Sequence, residues 1–199
     1  MGSKAPWSIE VARTIDNPKV WPEVKRLSQH ALGVDGDAIG FLPWETYQVH
    51  HVGGRVLTCR ANGDLVGFLM WRFNRQREAR CLQVWVRSDA RMLLHGRALT
   101  DAWRRDAIVV GCSVVRLYCA EDLAANIFWR MLGFTQSSWR YGPSGRKHLL
   151  WVSSLGGLSD GRGLRRSDGV AIASAVRPDA KGEDGVGQDR PAQRRRFGR

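Results

Sequence analysis

The sequence predicts a mixed α/β domain on one sheet, with antiparallel strands first and β-α-β units after them. Three observations carry this. Asn62-Gly63 separates two apolar runs, and that dipeptide suits a type I′ hairpin turn, which needs positive φ at both central positions. The apolar run at 79–87 leads into residues 94–108, whose apolar positions recur at helical spacing. A short β-branched run at 114–119 then precedes a second helical stretch that ends at Gly133. Strand–helix–strand passages need a parallel crossover, so the sheet is mixed.

Each element follows in order. Residues 7–13 read as a strand. Asp16, Asn17 and Pro18 mark a helix start, with an acceptor side chain at the cap and proline in the first turn. That helix is predicted to reach Leu32 and stop at Gly33. Residues 35–55 are loop and short helix. The hairpin strands are 55–61 and 64–73. A polar turn at 74–78 precedes the strand 79–87 and the helix 94–108. The strand 114–119 and the helix 122–132 follow. Residues 139–141 and 148–152 form a last hairpin around the glycines of 142–145.

The composition changes near Ser153. Nine of the 22 glycines lie beyond it, and Phe197 is the only aromatic there. Such a segment buries too little apolar surface to offset chain entropy. The expected organisation is therefore a folded domain at 1–153 and a disordered basic tail at 154–199. The net charge is +12, and the tail holds ten Lys or Arg against six Asp or Glu, leaving +8 on the first 153 residues. A basic surface favours anionic partners without choosing among them.

No apolar run approaches the roughly 18 residues of a membrane span, and the first residues lack a secretory leader. The expected location is the cytoplasm, with no membrane partner. Cys59, Cys81, Cys112 and Cys119 show no C-x-x-C spacing and are expected to be reduced core thiols, so no metal site is expected.

The chemistry concentrates between Val84 and Arg97. A strand that turns directly into a helix start converges free backbone N–H groups on one spot, and the helix dipole adds to them. Arg91 and Arg97 flank that turn and suit phosphate oxygens. The same residues also fit an ordinary β-α turn with solvated arginines.

The stretch from Val86 to Leu99, VRSDARMLLHGRAL, resembles the pyrophosphate loop of GNAT acetyltransferases, of the form Q/R-x-x-G-x-G/A. Arg91 matches its first position and Gly96 its last, while Leu94 stands where the first glycine is expected. The stretch from Asp122 to Phe134, DLAANIFWRMLGF, is similar to the same family's N-x-x-A-x-x-L-Y-x-x-x-G-F helix. Ala125, Phe128, Gly133 and Phe134 match; Asp122 replaces asparagine and Trp129 replaces the usual tyrosine. The hairpin sequence GDLVGFLMW also looks like the family's second and third strands. The resemblance covers residues 7–152.

It implies a sheet whose central parallel strands splay apart around acetyl-CoA, the acyl donor. The residues it places at the donor are Val84, Trp85, Val86, Arg91, Met92, Leu94, His95, Gly96, Arg97, Asn126 and Trp129. It implies direct transfer of an acetyl group to a primary amine of a small molecule or protein, by a monomer or homodimer. An indole N–H cannot protonate a leaving thiolate as a tyrosine does. Tyr141 is the candidate for a substitute acid. Gln83 stands on the strand where many members carry a glutamate base. Glu45 is the base candidate, with His50 and His51 in the same loop. Nine tryptophans fill mostly core, and Trp44, Trp71 and Trp85 would suit an aromatic or cationic acceptor.

Two other readings fit the same residues. One is a GNAT-fold binding module without catalysis, suggested by Leu94, Trp129 and Gln83. The other is nucleic-acid association through the basic tail, whose Arg165-Arg166 and Arg194-Arg195-Arg196 clusters would add salt-dependent affinity.

Overall fold

A computed structural model describes residues 8–142 and 144–156, apart from the side chain of Asp37. The expected tail at 154–199 lies almost wholly outside the described residues.

One seven-stranded sheet organises the chain. Its strands are β1 (Ile9–Arg13), β2 (Val56–Ala61), β3 (Asp64–Phe73), β4 (Glu78–Val86), β5 (Val114–Ala120), β6 (Thr135–Tyr141) and β7 (Lys147–Ser154). The spatial order is β1-β2-β3-β4-β5-β7-β6. Every neighbouring pair is antiparallel except β4 and β5. The helices are α1 (Trp21–Ile39), α2 (Trp44–Val52), α3 (His95–Val109) and α4 (Ala125–Met131).

The β2–β3 turn has Asn62 at φ 51° and Gly63 at φ 90°, the left-handed pair that a two-residue hairpin requires. Its tightness fixes both strand ends, so Asp64–Phe73 falls where the sequence predicted it.

The sheet buries a core on each face. On one face, Leu99, Trp103 and Ala107 of α3 and Trp129 of α4 pack on Leu57, Leu69, Trp71, Val115 and Leu117. On the other, Val24 and Ala31 of α1 and Tyr47 of α2 pack on Val56, Phe68, Met70 and Trp85. The resemblance expects the helix at 122–132 beside the acyl donor and the 35–55 segment beside the acceptor, so the first face is labelled the donor face and the second the acceptor face. Period-two alternation assigns the remaining strand residues. All four cysteines are buried free thiols.

Two helices depart from the sequence reading. α1 does not stop at Gly33 but runs on to Ile39, through a kink at Asp35 (φ −134°, ψ 30°). The tertiary contacts of Asp35, described below, hold that extra turn. α4 begins at Ala125, not Asp122. Asp122 is taken by Arg146, whose Nη2 lies 2.9 Å from both carboxylate oxygens.

Candidate active site

Parallel pairing of β4 and β5 is short. It joins 78–80 to 114–116 and ends at Arg80 opposite Arg116. Beyond that rung β4 pairs only with β3, and β5 only with β7. The facing edges of 81–86 and 117–120 therefore part as a wedge. A bulge explains the start of the separation. Met70 faces Gln83 and Trp71 faces Cys81, so Leu82 is the extra residue. Bulges bend a strand and increase its twist, and this one lies immediately past the last β4–β5 pair.

The wedge is lined by unpaired backbone. Arg87 donates its N–H to Val66 O at 2.8 Å. Alternation along an antiparallel ladder then turns the N–H groups of Trp85 toward β3 and those of Val84 and Val86 away from it, toward β5. The Val86 carbonyl on that side accepts from Arg91 Nε at 2.9 Å.

The strand–helix turn closes one end. After a single 3-10 turn, Ser88–Ala90, the chain reaches α3 through two left-handed residues, Met92 (φ 65°) and Leu94 (φ 68°). Leu94 takes the conformation that glycine adopts freely, and the residue is 65% exposed, so its bulk lies outside the turn. Met92 is 96% exposed. His95 is buried beneath the turn; Nδ1 meets Ala90 O at 2.9 Å, while Nε2 has no partner among the described residues. A Cβ on Gly96 would lie 3.1 Å from Phe128 Cζ, so this glycine lets α3 close against α4. Arg97 is exposed, 3.6 Å from Asp101 Oδ2.

Arg91 is held in place by the acceptor-side helix. Its guanidinium bonds Asp35 Oδ2, and the same oxygen accepts Trp85 Nε1–H at 2.8 Å. The Trp85 bond, with that of Arg91, holds the Asp35 carboxyl below its usual range against the opposing effect of burial. Asp35 was missed in the sequence because nothing local marks it; only the fold brings residue 35 to residues 85 and 91.

Asn126 has its capacity filled internally. Nδ2 donates to Ala120 O, Glu121 O and Leu123 O, and Oδ1 accepts from Trp151 Nε1 at 2.8 Å. It ties the end of β5 to the start of α4. Trp129 is buried at 3% exposure, with Phe128 and Phe134 edge-on. Its indole bonds the Cys119 thiol, which burial pushes up to about 11.

On the acceptor face, Gln83 accepts from Tyr47 Oη and donates to Ile39 O (3.2 Å) and Gly40 O (2.7 Å). Burial pushes the Tyr47 hydroxyl up to about 12. The strand amide thus pins the α1–α2 connection over the wedge. Glu45 is exposed in the first turn of α2 and makes no hydrogen bond or ion pair with a described residue. His51 bonds Thr14 Oγ1 at 2.7 Å and stacks on Trp21; His50 is buried, with Arg55 Nε at 3.4 Å. Burial lowers the pKa of both, helped at His50 by Arg55 and Arg72. Tyr141, at the end of β6, is 64% exposed and packs edge-on against Trp139. By alternation from Leu149, the partner of Trp139, Tyr141 lies on the donor face. Of the three tryptophans, Trp85 faces the acceptor side, Trp71 sits in the opposite core, and Trp44 stacks between Trp21 and Tyr47. Among the described residues no group of His, Cys, Asp or Glu is placed to hold a metal, and no helix is long and apolar enough to cross a membrane.

Comparison with known proteins agrees with this architecture. No curated protein matches the chain. Among solved structures, Ard1 from Thermoplasma volcanium superposes with a TM-score of 0.60 at 21% identity, covering 74% of this chain and 97% of that one. The ribosomal-protein-alanine N-acetyltransferase from Brucella melitensis gives 0.59 at 19%, covering 74% and 99%. The ribosomal-protein-S18-alanine N-acetyltransferase from Escherichia coli gives 0.54 at 19%, covering 75% and 94%. At these identities the likeness is one of fold. Residues 21–134 match the model of the Acetyltransferase (GNAT) family, more than half of the sequence, and the chain therefore belongs to the GNAT acetyltransferases.

Proposed function

We propose that the protein is an N-acetyltransferase that binds acetyl-CoA in the β4–β5 wedge and transfers its acetyl group directly to a primary amine. The observation that carries this reading is the end of strand pairing at Arg80–Arg116, which leaves the Val84 and Val86 N–H groups unpaired along the wedge. Those donors fit the amides of a pantetheine arm, and one aimed at the thioester oxygen would stabilise the oxyanion that develops there. The N–H groups at the 91–96 turn and the start of α3 suit the pyrophosphate. Leu94 already has the backbone conformation of a glycine, so the loop keeps its form without one.

Acyl transfer also requires an amine that has lost a proton and a thiolate that leaves. Gln83 does neither and acts by positioning the α1–α2 connection. Glu45 stands on the acceptor face and Tyr141 on the donor face, the sides that a base and a leaving-group acid need. We assign them those roles, acting through water. Arg91 would meet the pyrophosphate from its place beside Asp35. His95, Asn126 and Trp129 shape the loop and the wedge from behind. Buried reduced thiols suit the cytoplasm.

The test is CoA release from acetyl-CoA in the presence of a panel of small and peptide amines. The expected result is amine-dependent release that Gly96→Trp abolishes and that Glu45→Gln and Tyr141→Phe each reduce by about tenfold or more. Acetyl-CoA binding without release to any amine would favour the binding-module reading.

A further inference from the structure

Three arginines lie side by side across the sheet. Arg72 on β3 faces Arg80 on β4, and Arg80 faces Arg116 on β5. Neighbouring strands are about 4.8 Å apart, so the row spans about 10 Å. Trp71, Ala79, Cys81, Val115 and Leu117 alternate with them and fill the donor-face core, so all three arginines project on the acceptor face. Tyr118, two residues beyond Arg116, lies on that face too. Its ring carries the Arg80 guanidinium at 4.9 Å and that of Arg140, from β6, at 4.0 Å.

Like charges directly opposite each other destabilise a sheet. Among the described residues only one carboxylate answers them: Glu78 Oε2, 2.8 Å from Arg116 Nη2. Arg72, Arg80 and Arg140 have no ion pair with a described residue. The Nε–H groups of Arg80 and Arg116 are buried and have no hydrogen-bond partner among the described residues. Burial, and then Arg140 and Arg72, lower the Arg80 pKa. Those Nε–H groups face inward, out of a ligand's reach, and it is the Nη groups of Arg72, Arg80 and Arg140, which no described carboxylate meets, that are left for an incoming anion. The row also has a fixed position. Arg80–Arg116 is the last rung before β4 and β5 part, so a molecule lying on the row has one end at the closed end of the wedge, where the two strands begin to separate.

We infer that this row is the acceptor-binding surface and that the acceptor is an acidic polypeptide segment. Its carboxylates take the arginines while its amine enters the wedge. The inference rests on the acetyl-transfer reading above. Carboxylate is favoured as the partner because the one anion the chain itself places among these arginines, Glu78, is a carboxylate in good geometry. Planar guanidinium forks held by packing suit that geometry. Residues 154–199, with ten basic and six acidic side chains, carry the wrong net charge for the part.

The experiment measures binding directly, by fluorescence anisotropy with three labelled peptides of equal length and free N-termini. They differ only in carrying Asp/Glu, Asn/Gln or Lys at the positions after the first residue. The proteins are wild type, Arg72→Gln/Arg140→Gln and Arg80→Gln, each checked for folding by circular dichroism. Acetyl-CoA binding is measured in every protein by calorimetry. The acidic peptide is expected to bind about tenfold or more tightly than the neutral one, to weaken with salt, and to lose about tenfold in the double variant. Equal binding of all three peptides while acetyl-CoA still binds overturns this inference alone. Failure of wild type to bind acetyl-CoA overturns the reading beneath it. A short RNA that displaces the acidic peptide and binds more tightly would make the row a polynucleotide surface. Free glutamate competing as well as the peptide would make the acceptor a small acidic amine. Either result overturns the polypeptide assignment.

Discussion

Leu94 sits in the left-handed region at φ 68° and is 65% exposed. A residue with a Cβ pays about 1–2 kcal/mol to stay there. Leu94→Gly removes that strain and gives up little buried surface. Against this, glycine costs about 0.4–1 kcal/mol through the greater freedom of the unfolded chain. The net is a gain of about 0.5–1 kcal/mol, or about 1–4 °C in Tm for a domain of this size. Leu94→Ala is the control, because it keeps the Cβ and the strain. Thermal and urea unfolding of the three proteins should rank Leu94→Gly above wild type, with Leu94→Ala at or below it. Met92→Gly, at φ 65° and almost fully exposed, should repeat the gain. A Leu94→Gly protein no more stable than Leu94→Ala would show that the loop is not strained as described, and that leucine there is no substitute for the glycine.

Other outcomes follow from the same structure. Gly96→Ala brings a methyl to 3.1 Å from the Phe128 ring; crowding of about 1–3 kcal/mol is offset by about 1 kcal/mol of helix propensity, so a net loss of about 0–2 kcal/mol is expected, and urea unfolding should show Phe128→Leu recovering part of it. Asn126→Ala leaves the Trp151 indole and Glu121 O without their partner, while Ala120 O and Leu123 O keep backbone donors, and a loss of about 1–2 kcal/mol is expected by urea unfolding. His50 and His51 have folded pKa values below the ordinary 6.5, first through burial. The folded state therefore binds fewer protons, so their contribution is intact above pH 6.5 and is lost as the pH falls below it. Wild-type Tm should drop between about pH 6.5 and 5, and a His50→Gln/His51→Gln protein should show a flatter profile over that window.

The legible parts of this fold are those with local causes. The Asn62-Gly63 turn fixed two strands, and β4 and α3 fall within a residue of expectation because apolar period changes sharply between them. The end of α1 was not legible. Gly33 looks like a stop, yet the helix continues because Asp35 bonds Trp85 and Arg91, about 50 residues away in sequence. The bulge at Leu82 was hidden because Cys81 and Leu82 are both apolar, so the sequence does not show that they face opposite sides before Gln83. The arginine row was invisible for a simpler reason: residues 72, 80 and 116 are isolated in sequence, and only strand register makes them neighbours. The motif residues show a related limit. Gly96 stands where the family pattern has it and Asn126 lies in the matching helix, but Asn126 bonds only backbone and Trp151, and Gly96 makes room for Phe128.

Amide hydrogen exchange with and without acetyl-CoA tests the central claim most directly. If the wedge holds the donor, the amides of Val84 and Val86 and those of the 91–96 turn should gain protection, while Trp85, already paired to β3, should change little. Protection elsewhere in the sheet with Val84 and Val86 unaltered, or no change at all at saturating acetyl-CoA, would contradict it.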